Sequence, residues 1–92
     1  MAVRAKFKVN KIERQNYSRA IRQENGNYTS QEEEMQTIVL APVYGNGDPE
    51  HENTKFWNAS PAGEIRLGTI NAAAAAYFEL GAEYYIDFTR AE

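Results

Sequence analysis

The chain has no cysteine and a single histidine among its 92 residues. Without cysteine it can form no disulfide, no thiolate nucleophile and no cysteine-based metal site. One histidine alone is too few for the usual zinc ligand sets. No apolar run approaches the ~18 residues that a membrane-spanning helix requires, and the beginning, MAVRAKFKVNK, has no apolar segment of a signal peptide. These absences predict a cytosolic protein that has no cofactor, binds no metal and enters no membrane.

Acidic composition narrows the choice of partners. The net charge is -3 and the pI is about 5.2, which weighs against a protein that holds nucleic acid through phosphate contacts. The hydrophobic content of 42% and aromatic content of 12% indicate a packed core rather than disorder. The length predicts one domain over residues 1–92.

The first strand is predicted from period-two alternation. Apolar and cationic side chains alternate over residues 3–9, as expected of a half-buried strand. The alternation slips at Ile12, which either a β-bulge or the end of the strand near Lys11 would explain.

Polar residues 14–34 surround an Asn25-Gly26 pair. Asn-Gly favours a tight turn, so this segment is predicted to be a β-hairpin extension with its tip near residue 26 and arms that extend as a mobile ribbon. A short helical turn over residues 18–23 is the alternative. Apolar residues 35–44 predict a central strand covered on both faces, or a bulged one, with Pro42 near an edge. Residues 45–53 predict a surface loop.

The second half alternates between turn and strand signals. Residues 55–58 predict a short strand, residues 60–63 (SPAG) a tight turn, and residues 64–70 the strand that returns from it. These segments together predict a hairpin over residues 55–66.

A helix and a last strand follow. Asn71 is placed to cap an Ala-rich helix, and Gly81 to end it in the left-handed conformation. One helical face, predicted to pack on the sheet, contains Ala73, Ala76, Tyr77 and Leu80. Residues 84–88 alternate again, which predicts a final strand. The predicted order is therefore β–β–β–β–α–β: an α+β domain with a small, mostly antiparallel β-sheet or barrel and one short Ala-rich helix before the last strand.

The segment FWNASPAGEIRLGTINAAAAAYFELGAEYYIDF, with the earlier VNKI and LAPVY, resembles a family of small tailed-bacteriophage proteins. That family has the pattern FWxxSPxGxI…NxAAxxxFxxGxxYYxDF. The chain departs from it with Ala72 and Leu80 at positions where the family has proline, and with TRAE at the end in place of TPAE. The resemblance implies a phage origin and a location in the cytoplasm of the infected host bacterium, but no established activity.

Aromatic and cationic residues supply the candidate ligand site. Trp57 beside Lys55, with Arg66 across the predicted hairpin, has the chemistry of base stacking combined with phosphate pairing. Tyr44 and Tyr85 are candidates for the same surface. Trp57 as a core residue is the alternative, because successive strand residues face opposite sides.

Positive charge is concentrated near the amino terminus, where seven of the ten Lys and Arg lie in the first 22 residues. Arg4, Lys6 and Lys8 are candidates for binding an anion or an acidic partner. The alternative is that they protect an edge strand from aggregation. An exposed strand edge at residues 3–9 would also let two copies pair into a two-fold dimer.

No residue pattern predicts catalysis. Asp48, Glu50 and Glu52 alternate around His51 as calcium ligands would, yet the full twelve-residue loop pattern is lacking, so a solvated acidic loop is the better interpretation. Neither a nucleophile with its base nor a phosphate-binding Gly-rich loop is recognisable. We therefore expect that the protein is not an enzyme.

Three functions remain open at this stage. The favoured one is a phage accessory protein that acts by binding, either sequestering a small host nucleotide or blocking a host protein. The second is a single-stranded nucleic-acid-binding protein, and the third is a structural or assembly protein of the virion. A homodimer is expected in each case.

Overall fold

The computed structural model describes residues 3–92. Its strands form one antiparallel sheet in the order β3-β2-β1-β4. The elements in chain order are β1 (Val3–Arg22), β2 (Tyr28–Pro42), α1 (Glu52–Trp57), β3 (Ile65–Thr69), α2 (Ala72–Ala76) and β4 (Glu83–Phe88). The predicted α+β class is thus confirmed, including the short Ala-rich helix before the last strand.

The sheet is open and does not close into a barrel, so the barrel alternative is wrong. β3 pairs only with residues 36–40 of β2, while β4 pairs with residues 3–8 of β1 on the opposite flank. These two outer strands are short and the two long strands separate them, so they cannot meet to close the sheet.

β1 continues through the predicted slip, and a bulge accounts for it. The pairing of β1 with β2 shifts by one residue between Val9 and Lys11 and then resumes to the end of the strand. The extra residue lets Ile12 face the core side as Val9 does, although the two positions differ in parity. The bulge interpretation is confirmed, and an end of the strand near Lys11 is wrong.

The predicted hairpin is confirmed, and the helical alternative over residues 18–23 is wrong. β1 and β2 pair without interruption from Lys11↔Val39 to Arg22↔Tyr28, and Gly26 in the turn has a φ of 87°. From residue 13 to residue 35 the hairpin projects beyond β3 and β4, and we call this part the ribbon. It gives the molecule extents of 60 × 33 × 20 Å and a radius of gyration of 17.9 Å, whereas a compact chain of this length would have about 12 Å.

The core lies on one face of the sheet, beneath both helices. Ile38 and Leu40, in the last third of β2, are fully buried, as the prediction of a central strand requires. Pro42 lies beyond the part of β2 that pairs with β3, so its missing N–H removes no bond of that ladder. The buried cluster consists of Ala5, Phe7, Val9, Ile38, Leu40 and Ala75.

Helix α1 replaces the strand predicted over residues 55–58, so the predicted hairpin over residues 55–66 does not form. The Nδ1 atom of His51 accepts a hydrogen bond from the Asn53 N–H at the start of α1. Asn58 ends the helix in the left-handed conformation at φ 52°, and its N–H donates to the Thr54 carbonyl. Local capping thus favours a helix where the aromatic residues suggested a strand.

Helix α2 begins as predicted but ends early. The Asn71 side chain accepts hydrogen bonds from the N–H groups of Ala73 and Ala74, which confirms the cap. The helix stops at Ala76, and Gly81 instead occupies a later turn in which its N–H donates to the Val9 carbonyl. Helix α2 buries only Ala75.

The predicted buried face of that helix is therefore wrong. Tyr77 and Leu80 retain 72% and 67% of their exposure because they lie beyond the end of the helix. No helix within residues 3–92 is long and apolar enough to cross a membrane.

Candidate binding surfaces

A buried asparagine, which the sequence did not mark, holds α1 against the sheet. The Asn53 side chain is fully buried, and its Oδ1 accepts a hydrogen bond from the Lys6 N–H at 2.6 Å. Its Nδ2 donates to the carbonyl oxygens of Lys6 at 2.7 Å and Val43 at 2.6 Å. This amide continues the hydrogen-bond ladder of β1 just past the end of β2, so its role is structural.

Trp57 packs toward the core, as the alternative interpretation of this residue proposed. Its ring centroid lies 6.0 Å from that of Phe7, and its indole N–H donates to the Ala62 carbonyl at 2.8 Å. The side chain is half-buried, with its ring against the core cluster and its N–H in a hydrogen bond to the loop after α1. The indole is therefore not free to act as a stacking platform for a base.

The structure separates the five candidate ligand residues instead of gathering them. Lys55 lies on α1 and pairs with Glu50, while Arg66 lies on β3 and pairs with Glu64 at 2.8 Å and Glu13 at 3.4 Å. Tyr44 lies in the loop between β2 and α1 and is 68% exposed. Tyr85 lies on β4, on the far flank of the sheet.

Tyr85 joins the amino-terminal cations, which the sequence had assigned to a different site. The guanidinium of Arg4 lies 4.5 Å from the Tyr85 ring centroid, and the Lys6 ammonium lies 5.3 Å from it. Arg4 donates two hydrogen bonds to Asp87, and Lys6 pairs with Glu52 at 3.1 Å. These cations already have carboxylate partners, so this face of the sheet carries mixed charge.

The hydrogen bonds from Arg4 stabilise the charged form of Asp87 and lower the pKa of that carboxyl. The same hydrogen bond raises the pKa of Arg4, and a hydrogen bond to Glu52 raises the pKa of Lys6. Lys8 has no carboxylate within ion-pair distance among residues 3–92. The proposed anion site is thus reduced to one unpaired lysine.

Residues 3–9 do not form one continuous open edge. β4 pairs with β1 over residues 3–8, and β2 pairs with the other flank of β1 only from Phe7 onward, where the Asn53 amide bonds to the adjoining Lys6. The prediction of an edge along the whole of residues 3–9 is therefore wrong, and only the β2-side flank before Lys6 has no strand partner among residues 3–92. Edge protection by the cations and pairing with a second copy stay predictions for that short stretch alone. The position of β1 inside the sheet follows from β4, whose pairing partner the sequence pattern does not specify.

Two polar side chains of the acidic loop make local hydrogen bonds. His51 caps α1, and Asp48 accepts a hydrogen bond from the Glu50 N–H within its own turn. In the described part of the chain, no three His, Asp or Glu side chains are grouped as metal ligands. Glu52 and Asn53, predicted to belong to the surface loop, are the first residues of α1.

One open cleft of about 380 Å³ lies between two loops. Its lining consists of residues 44–47, Thr54 and residues 58–61. The volume suits a small ligand, but no charged side chain in the described structure lines it, and of the five candidate residues only Tyr44 does. A nucleotide phosphate would find no counter-charge there.

The ribbon is an extended surface that no other described element covers. Both of its strands are exposed almost throughout, and each has one edge that no described strand pairs. Ion pairs link its arms, Arg14 with Glu34 at 2.9 Å and Arg19 with Glu33 at 3.8 Å. Tyr17 retains 40% and Tyr28 64% of their exposure.

Acid is expected to destabilise the fold through paired carboxylates. A hydrogen bond from its own backbone N–H, aided by Lys6, lowers the pKa of Glu52, and Lys11 lowers that of Glu13. A carboxyl with a lowered pKa in the folded state stabilises the fold above its unfolded pKa, near 4.5, and loses that contribution as the pH falls through the folded pKa. The urea midpoint should therefore fall as the pH drops below about 4.5.

Glu52→Gln should make that decrease shallower, and Glu24→Gln at the ribbon tip is the control. Urea unfolding curves followed by circular dichroism at a series of pH values measure both variants. An unchanged pH dependence in Glu52→Gln would show that the Lys6–Glu52 pair does not contribute.

Comparison of the chain with models of known families, with curated proteins and with solved structures found no match.

Proposed function

We propose that this chain is a non-enzymatic phage accessory protein that binds other proteins through its ribbon. The observation that carries the proposal is the ribbon itself: a long ordered hairpin, outside the core, with open edges and exposed faces. Blocking a host protein is the activity that this geometry supports best.

An isolated two-stranded hairpin is marginally stable in water, and its unpaired edges invite pairing with another strand. Edge pairing is also a common way for a sheet to bind a protein, because the backbone provides affinity and the side chains provide specificity. Open ladder edges on both arms therefore suit a protein partner.

The two nucleotide-based functions have less support. The candidate residues for a small nucleotide are dispersed, and the cleft between the loops has no charged lining in the described structure. A single-stranded nucleic acid would need free cations and exposed aromatic rings together. Here Arg4 and Lys6 are paired with carboxylates, and Trp57 packs toward the core.

A role in virion assembly is the second candidate, because it too requires an extended protein-binding element. The elongated shape and the open edges would suit binding to another protein of the virus particle equally well. The presence of the chain in purified particles separates this candidate from a host target.

A ribbon-shortened variant tests the proposal. Replacing residues 16–34 with Asn-Gly joins Gln15 to Met35, which already face each other as a hydrogen-bonded pair, through a two-residue turn. No residue of the buried cluster lies in the deleted part, so the body should still unfold cooperatively in urea.

Tagged full-length and shortened proteins would be compared as baits in extract from infected cells. Quantitative mass spectrometry should show partner proteins lost with the ribbon, and purified partner should then bind the full-length chain but not the shortened one. Equal capture by both baits would contradict the proposal. Tight, salt-dependent binding of single-stranded DNA would favour the nucleic-acid function instead.

A further inference from the structure

We infer that the open edge of β1 in the ribbon pairs with the same edge of a second copy of this chain, giving a two-fold dimer with Tyr17 at its centre. The inference rests on the proposed role of the ribbon as a protein-binding element. It states that the partner of the β1 edge is a second copy of the chain.

The two edges of the ribbon differ in length. On β1 the edge is open from Lys11 to Arg22, because β4 and the turn after α2 cover the strand only up to Val9. On β2 it is open only over residues 28–35, because β3 covers the rest. The β1 edge is thus the longer template for pairing.

The outward-pointing residues of β1 can be assigned from the hairpin turn. The Gln23 N–H donates to the Asn27 carbonyl, so residue 23 points its backbone groups toward β2. Backbone groups alternate in direction along a strand. Even-numbered residues from Ile12 to Arg22 therefore present their N–H and C=O groups to the open edge, and odd-numbered ones bond to β2.

Head-to-tail pairing of a β1 arm with a β2 arm of the next copy is sterically excluded. In that arrangement all ribbon tips point the same way, and β1 of the second copy would have to lie beside β2 of the first copy. The first copy's own β3 already lies there, along residues 36–40. Sliding the copies along the strand direction brings β4 into the same conflict. A symmetric pair with tips in opposite directions places the two bodies at opposite ends and avoids both.

Symmetry then restricts the register. In a pair related by a two-fold axis perpendicular to the sheet, odd residues face odd residues, and the sum of facing residue numbers is even. The register that places Tyr17 opposite Tyr17 pairs every even-numbered residue from Ile12 to Arg22, so that Ile12 faces Arg22 of the second copy. A pair centred on Asn16 would overlap as far but would leave Arg22 opposite the bulge at residue 10. Roughly twelve backbone hydrogen bonds would form along this edge.

Side chains agree with this register. Arg14 faces Ala20, and Arg19 faces Gln15, so no two cations lie directly opposite each other. Arg19 also lies diagonally across from Glu13 of the second copy, within reach of a long side chain. Arg14 lies diagonally across from Arg22, but Glu34 already neutralises it.

The β2 edge is less suited to pairing with itself. A symmetric pair there would place Gln31 at its centre and bring two sets of Glu32, Glu33 and Glu34 into one narrow strip. Glu32 has no ion-pair partner in residues 3–92 and would lie diagonally across from Glu32 of the second copy. Repulsion and the shorter overlap both favour β1.

Single cysteines test the register, because the chain contains none of its own. Facing residues that do not hydrogen-bond to each other in an antiparallel pair have Cα atoms about 4.5 Å apart, within disulfide range. Under mild oxidation Tyr17→Cys should form a covalent dimer about tenfold or more faster than the β2-edge control Gln31→Cys. Faster cross-linking of Gln31→Cys would overturn the inference in favour of a β2 dimer.

Because Tyr17→Cys removes the central ring, a second pair of variants is needed. Gln15→Cys and Arg19→Cys should each cross-link slowly alone and rapidly when mixed, since these positions face each other across the axis. No gain on mixing would overturn the register.

Prolines on the two edges test whether β1 mediates the dimer. Ser18→Pro removes an outward N–H without breaking a bond to β2, and it should convert the dimer to a monomer by sedimentation equilibrium. Ser30→Pro, on the outer edge of β2, is the matched control and should leave the dimer intact. A monomeric wild-type chain at micromolar concentration would overturn the inference, whereas the proposed function fails only if shortening the ribbon leaves partner binding unchanged.

Discussion

Asn53→Ala is expected to lower the free energy of unfolding by about 3 kcal/mol, because it leaves part-buried backbone groups without partners and empties a buried position. The Lys6 N–H loses its acceptor and the Val43 carbonyl loses the amide donor, whereas the Lys6 carbonyl keeps the Val43 N–H as a donor. β2 ends at Pro42, so no strand is available to replace the lost bonds. Urea denaturation followed by tryptophan fluorescence is a suitable measurement, because Trp57 lies on the helix that Asn53 anchors.

Two control variants separate the hydrogen bonds from the side-chain volume. Asn53→Asp has nearly the same volume and keeps the acceptor, but it sets a carboxylate against two carbonyl oxygens and should destabilise the fold as much as alanine does. Asn16→Ala, on the exposed ribbon, should change stability by less than about 0.5 kcal/mol. A loss below about 1 kcal/mol for Asn53→Ala would mean that water replaces the amide without penalty.

Gly45→Ala should cost about 2 kcal/mol through overpacking alone. Gly45 is buried where the loop after β2 passes under α1. A Cβ there would overlap the Thr54 Oγ1 atom and lie 3.2 Å from both Cβ and Cγ of His51. Both neighbours are held in place, since His51 caps the helix and Thr54 lies within it.

The clash can be tested with a double-mutant cycle measured by urea unfolding. Thr54→Ala removes the atom in closest contact, so the double variant should recover a large part of the loss from Gly45→Ala. If the losses of the two single variants simply add in the double variant, the destabilisation by Gly45→Ala comes from the loop backbone and not from the clash with Thr54. Gly47→Ala tests that alternative separately, because its φ of 76° is strained for alanine although the space around it is open.

Most of the predictions that depended on local signals were accurate. Alternation placed most of the strands, Asn25-Gly26 placed the hairpin tip, and Asn71 placed the start of α2. Strand order was less accessible, because the pairing of β1 with β4 joins the two ends of the chain and has no local signal. The error at residues 55–58 has a different origin, because two local signals competed: the aromatic pair suggested a strand, whereas His51 and Asn58 supply helix caps on either side.

The candidate site was harder to predict than the fold. Trp57 and Arg66 were grouped on the assumption of a hairpin, and without it they lie on separate elements. Arg4 and Lys6 do meet an aromatic ring, Tyr85, but only because β4 lies beside them. Asn53 resembled any other polar loop residue, since nothing in its neighbours indicates that it completes a distant backbone ladder.

The pairing of β1 with both β2 and β4 has a consequence for how the chain folds. The hairpin of β1 and β2 closes across a short turn, whereas β4 reaches β1 only after nearly the whole chain has been looped back. Loop-closure entropy makes the second event the slower and costlier one. During synthesis the hairpin therefore has its pairing partners first, but it stays marginally stable on its own while Ala5 and Phe7 still await β4, which joins the sheet last.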